Sequence, residues 1–210
     1  GKIVWKIGPI WNDDDVKHID FIIGPHHAHL IPQGLPGAGN ILVFDNGGWG
    51  GYGLPNPSSK NGLKNALRDY SRVLEIDPIT LEIVWEFTPE SIKAAIPTDA
   101  AKFYSPYVSS AQRLPNGNTL IDEGSDGRVF EVTAEKEVVW EWISPYFTDG
   151  GKTTNNMIYR AYRYPYEWVP QEEKPIEKEI KPLDIKTYRL ENSGKFGAKT
   201  VVKVEGTIPY

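Results

Sequence analysis

The chain has 210 residues, 40% of them apolar and 24% charged, with a net charge of -5. That apolar content is enough to bury one large core or two small ones, while the acidic balance excludes a general attraction to nucleic acid or to an anionic membrane. Cysteine is absent, which excludes disulfides, thiolate metal ligands and a cysteine nucleophile, and no apolar run approaches the roughly 20 residues of a membrane-spanning helix.

Seven Trp, 11 Tyr, 20 Gly and 17 Pro point to many short strands joined by tight turns, because aromatics suit pleated half-buried surfaces and Gly and Pro punctuate them. An all-β fold is expected. The first predicted strand, Lys2 to Ile7, contains Ile3-Val4-Trp5-Lys6-Ile7 and is written again as Ile83-Val84-Trp85-Glu86-Phe87 and Val138-Val139-Trp140-Glu141-Trp142. The chain opens in this strand without Met or a signal segment, so a processed or trimmed start is expected. Asp13-Asp14-Asp15, Asp20 and His18 follow without EF-hand spacing and read as a solvated acidic loop.

A first unit then runs through strands Ala28 to Pro32, Ile41 to Asp45, Ser71 to Asp77 and Leu81 to Phe87. Its second-to-third connection, about 25 residues through Gly47-Gly48-Trp49-Gly50-Gly51-Tyr52-Gly53, is much longer than a hairpin needs, which suits either a functional loop or a plain covering. The second unit repeats the order with short turns: Tyr107 to Arg113, Thr119 to Glu123, Arg128 to Thr133 and Glu137 to Trp142, joined through Asn116-Gly117 and Asp126-Gly127. Such turns between alternating strands are strong hairpin signals. A four-stranded antiparallel meander recurring every 40 to 50 residues or so is the blade of a β-propeller.

Met157 to Arg163 reads as one strand of a further blade, so the chain supplies about two complete blades and parts of others. Propellers close with roughly four to eight blades. The remaining blades are therefore expected from upstream sequence or from another chain, an oligomer being one such arrangement. The domain reading is a partial propeller over residues 1–170, then a charged, Pro-bounded linker and a C-terminal β appendage over residues 171–210.

The two units differ most where the second has Ser109 and Ser110 and the first has His26 and His27, with His29 close behind. Period-two alternation puts His27 and His29 on one face of a strand and His26 on the other, unless the Gly24-Pro25 entry distorts the first residue. Three readings of these imidazoles stay open on chemistry alone. They are a nucleophile toward a sulfuryl or phosphoryl group with a nearby cation, ligands of a metal completed from elsewhere, or plain hydrogen-bonding channel lining. Asp45, Asn46, Asp122 and Glu123 end equivalent strands, where a turn role competes with acid-base or calcium chemistry. Arg113 and Arg128 are available cations.

His26-His27-Ala28 ahead of Leu42-Val43-Phe44-Asp45-Asn46-Gly47, Tyr70-Ser71-Arg72-Val73 with Trp85-Glu86-Phe87, and Tyr104-Ser105-Pro106 leading to Ser109 together resemble the bacterial arylsulfate sulfotransferase family over roughly residues 20 to 170. The resemblance implies a six-bladed propeller in a periplasmic or extracellular space. It also implies transfer of a sulfuryl group from an aryl sulfate to a phenol through a sulfohistidine, with no nucleotide donor or other cofactor and no metal. By that match His26 is the nucleophile, and His27, His29, Ser109 and Tyr104 lie on the substrate side. Trp49, Tyr52, Tyr104 and Tyr107 are aromatics that could stack on a phenol or simply pack. The family's supporting arginine and further histidines belong to earlier blades, outside this sequence. Alternatives are a noncatalytic propeller that binds or scaffolds, and a quinoprotein-like propeller suggested by Asp77 to Trp85, where Leu81 replaces the glycine expected after Thr80.

Overall fold

The computed structural model describes residues 1–2, 7, 22–48, 68–92, 103–149 and 154–171. The acidic stretch at 13–20, Trp49, Tyr52 and the tail beyond residue 171 lie outside the described residues, as does all of the predicted first strand except Lys2 and Ile7. Residues 1–163 form one compact unit.

Two four-stranded antiparallel sheets carry that unit. The first consists of β1 (His26–Leu30), β2 (Ile41–Asp45), β3 (Arg72–Ile76) and β4 (Ile83–Phe87). The second consists of β5 (Ser110–Arg113), β6 (Thr119–Glu123), β7 (Arg128–Val132) and β8 (Val138–Ile143). In both, strands pair in chain order, which is the meander that the hairpin turns predict. A two-stranded ribbon, β9 (Thr148–Asp149) with β10 (Thr154–Asn155), follows. No α-helix occurs among the described residues, so the fold is all-β as read from composition.

Residues 157–163 do not form the strand expected there. The segment instead runs beside β5 and is tied to it largely by side chains: Ser110 Oγ receives the Ala161 amide at 3.2 Å, and the Gln112 carboxamide exchanges two bonds with the Arg163 backbone at 3.0 and 2.7 Å. A strand needs a backbone ladder, and here side chains satisfy the groups a ladder would use.

Each strand's alternation puts one set of side chains between the sheets. Leu42, Phe44, Val73 and Phe87 of the first sheet meet Ala111, Ile121, Phe130 and Val132 of the second, while Val43, Leu74 and Ile76 face a separate cluster with Ile22. At the centre lies Phe103, a residue of the connection between the sheets, fully buried and edge-on to Phe44, Phe87 and Phe130 with centroids 5.6, 5.3 and 5.8 Å away. Such T-shaped contacts align ring edges with neighbouring π faces. Across the same interface the buried Arg113 of β5 donates to Glu75 of β3 at 2.7 Å, and Asn40 takes the other carboxylate oxygen at 2.7 Å.

Leu81 has a φ of +62°, and Lys136 has +71° at the equivalent β7–β8 turn. The left-handed conformation that a glycine would supply is thus adopted by a leucine, which packs against the Val43 cluster. Phe103→Ala should remove about 3–5 kcal/mol of stability, because no flexible neighbour can fill the gap between two sheets. Urea unfolding followed by tryptophan fluorescence checks this.

Candidate functional site

The site is built at the end of β2, where Asp45-Asn46-Gly47-Gly48 leaves the sheet. Asp45 is completely buried; its carboxylate receives Arg72 Nε at 2.7 Å, Arg68 Nη1 at 3.0 Å and the Ile23 amide at 2.8 Å. It therefore anchors the segment that enters β1. Gly48 approaches Pro106 so closely that an added Cβ would collide with the Pro106 backbone, which brings the loop 105–109 onto Asn46.

The Asn46 side chain then fixes the state of His26. Its amide nitrogen donates both hydrogens, to the Ser105 carbonyl at 2.7 Å and the Val108 carbonyl at 2.9 Å. Oδ1 can only accept, and it lies 2.8 Å from His26 Nδ1. Nδ1 must carry the proton, so in the neutral ring the lone pair sits on Nε2. Among the described residues nothing hydrogen-bonds to that nitrogen, and the ring is half-buried.

His26 pairs with Phe44 and His29 with Leu42, so three steps along β1 oppose two along β2. The extra residue is His27, with φ +53°. This β-bulge replaces the simple alternation expected for the segment: His26 and His29, not His27 and His29, stand opposite residues of the same sheet face. It also shifts the comparison between units. His26 opposite Phe44 corresponds to Ser110 opposite Asp122, so Ser110 rather than Ser109 is its counterpart.

Out of register, the His27 ring stacks on His29 with centroids 4.3 Å apart, and its Nε2 lies 3.0 Å from the Tyr162 hydroxyl. His29 Nδ1 donates to the His27 carbonyl at 2.9 Å. Burial lowers the His27 pKa to about 4, helped by the charges of His29 and Arg160, so this imidazole is neutral at neutral pH.

Ser109 is only 1% exposed and, like Val108 before it, has a positive φ. Its hydroxyl donates to Ser105 Oγ at 2.8 Å and accepts the Gly124 amide at 3.0 Å. Ser105 Oγ in turn donates to the Tyr107 carbonyl at 2.9 Å. The described hydroxyl network thus supports the loop that holds Asn46. Tyr104 is positioned through its backbone, whose amide donates to Glu123 Oε1 at 2.8 Å, and Tyr107 is exposed. Arg113 and Arg128 are both engaged, with Glu75 and with Glu123 and Glu141. Glu123 mirrors Asp45 at the end of β6, and burial raises its pKa while Arg128 lowers it. No group of three His, Asp or Glu placed to hold a metal occurs among the described residues.

Two residues at this place escape a reading by strand pattern alone, Arg160 and Tyr162. Their signal is a third, shorter copy of the first strand of a unit: Arg160-Ala161-Tyr162-Arg163 repeats Ser110-Ala111-Gln112-Arg113. Arg160 Nη1 donates to Tyr162 Oη at 3.4 Å. Asp122, the counterpart of Phe44, is 1% exposed with neither carboxyl oxygen hydrogen-bonded among the described residues. Burial pushes its pKa up to about 8, with Arg160 pulling the other way and Glu123 adding to the rise.

The family model for arylsulfotransferase (ASST) matches residues 5–162, and the chain belongs to that family. A search of curated proteins and a search of solved structures found no match. At family level the chain is a sulfotransferase acting on small molecules.

Between its unfolded value of 3.8 and about 8, Asp122 binds more proton in the folded than in the unfolded chain, so its contribution to stability falls as pH rises through that window. Asp122→Asn should therefore melt higher than the unsubstituted chain at pH near 8, by on the order of a few degrees, with the gap closing toward pH 4. Thermal melts across that range check it.

Proposed function

We infer that the chain forms the C-terminal part of a six-bladed propeller, residues 1–170 with an appendage over 171–210, and moves a sulfuryl group from an aryl sulfate to a phenol in a periplasmic or extracellular space. The observation that carries this reading is the Nε2 lone pair of His26, set by the Asn46 amide. Membership of the arylsulfotransferase family supports the group transferred.

In the first half-reaction His26 Nε2 attacks sulfur, the S–O bond to the aryl group breaks, and the electron pair leaves with the phenolate, which takes a proton from solvent. The sulfated ring becomes positively charged, and its Nδ1–H bond to Asn46 Oδ1 strengthens as that charge forms. In the second half an acceptor phenol attacks the same sulfur, loses its proton, and the S–N pair returns to Nε2. His27 and His29 border the substrate beside this nitrogen. Tyr104 contributes at its edge, and Ser109 acts through Ser105 and the loop around Asn46. The reaction needs no nucleotide donor.

His26→Ala should abolish transfer from a chromogenic aryl sulfate to a phenol, a loss of several orders of magnitude for a covalent nucleophile, and mass spectrometry of the unsubstituted full-length protein quenched with donor alone should show one added sulfuryl group on His26. Transfer that survives His26→Ala sinks His26 as the nucleophile, whereas no transfer by the unsubstituted full-length protein leaves a noncatalytic propeller as the better reading.

A further inference from the structure

Three first-strand segments lie side by side in this molecule, and their leading residues are His26, Ser110 and Arg160. The third is aligned by bonds, since the Ser109 amide donates to the Tyr159 carbonyl at 3.2 Å and Ser110 Oγ bonds both the Ala161 amide and its carbonyl, at 3.2 and 3.3 Å. Arg160 thus occupies, two segments on, the position that His26 occupies in β1.

Its guanidinium lies over the Tyr159 ring, 5.5 Å from the centroid, and forms an ion pair with no described carboxylate. Of the six arginines among the described residues, Arg68 and Arg72 pair with Asp45, Arg113 with Glu75, Arg128 with Glu123 and Glu141, and Arg163 with Glu131. Arg160 pairs with no described carboxylate and is exposed. Its hydrogen bond to Tyr162 Oη at 3.4 Å turns the guanidinium toward the histidines, because the same oxygen lies 3.0 Å from His27 Nε2. Asp122, a buried carboxyl electrostatically coupled to it, makes no hydrogen bond to it.

The geometry points to Arg160 as the residue that binds the sulfuryl oxygens of the donor next to His26, an inference that rests on the reaction proposed above. An aryl sulfate carries one negative charge spread over three oxygens, and a planar guanidinium offers paired N–H groups of matching geometry that ammonium does not. Attack on sulfur crowds charge onto those oxygens, and a cation already in place stabilises it without reorganising. Arg160 also lowers the pKa of His27, behind burial and His29, so its field reaches that imidazole.

The test uses full-length protein and an aryl sulfonate, whose S–C bond cannot be transferred, as a binding probe by titration calorimetry at low ionic strength. Loss of a charged hydrogen-bonding partner is expected to weaken sulfonate binding about tenfold or more in Arg160→Gln, to raise the KM for aryl sulfate comparably, and to be recovered in part by Arg160→Lys. The melting temperature should stay within about a degree, because the side chain is exposed and in no ion pair among the described residues. Sulfonate affinity and transfer in Arg160→Gln within about twofold of the unsubstituted protein overturn the inference. His26→Ala separates the two ideas: it should bind sulfonate and fail to transfer, so normal binding by Arg160→Gln beside an inactive His26→Ala sinks the role of Arg160 alone.

Discussion

A single carboxamide governs the site. Asn46 holds the loop 105–108 with its two N–H groups and the Nδ1 proton of His26 with its oxygen. Because an amide has one acceptor end and one donor end, occupying the donor end with two carbonyls leaves no ambiguity about His26. An imidazole that could otherwise exist as either tautomer is held with its proton on Nδ1 and, when neutral, its lone pair on Nε2. Everything around Asn46 keeps it there. Ser71 Oγ bonds its carbonyl at 2.7 Å and also receives the Ser105 amide at 2.8 Å, so the ends of β2, β3 and the inter-sheet connection meet at one point.

That point needs a rigid base, and the two sheets supply it. Phe103 sits among three other phenylalanines in the shared core, two residues before Ser105, and its carbonyl accepts the Ser71 amide at 2.9 Å. Packing the ring therefore places the loop. The Arg113–Glu75 pair reinforces the same interface from its far end. It is buried, so removing one partner would leave an uncompensated charge, and its value is in fixing how the sheets align rather than in net stability.

Around the histidines the electrostatics separate charged from neutral groups by burial. Asp45 is paired with two guanidinium groups, whereas Asp122, at 1% exposure without a hydrogen-bonding partner among the described residues, is held protonated at neutral pH. His27 is held neutral by the same desolvation acting on a base. The result is a surface on which the exposed Arg160 carries positive charge that no described carboxylate cancels, near the neutral imidazole of His27. Such a surface suits an anionic small molecule despite the overall acidity of the chain.

Local pattern decided much of this before any folding. Asn116-Gly117 and Asp126-Gly127 fixed the hairpins of the second unit, alternation placed Ile41–Asp45 and Thr119–Glu123 to the residue, and the unit-to-unit contrast singled out His26, His27 and His29. These are short-range effects of turn sterics and pleat. Which histidine opposes Phe44 was not legible, because a bulge is a property of pairing between two strands and leaves no trace in one of them. Nor could the chain alone reveal that Ser109 is enclosed while Arg160 is left unpaired, since burial and ion pairing are settled by segments 50 or so residues away. Sequence by itself determined the eight strands of the two sheets, their turns and the family, but not the course of residues 157–163; the tertiary contacts decided the tautomer of His26, the neutral state of Asp122 and the direction of Arg160, because each depends on atoms brought together only by packing one sheet on the other.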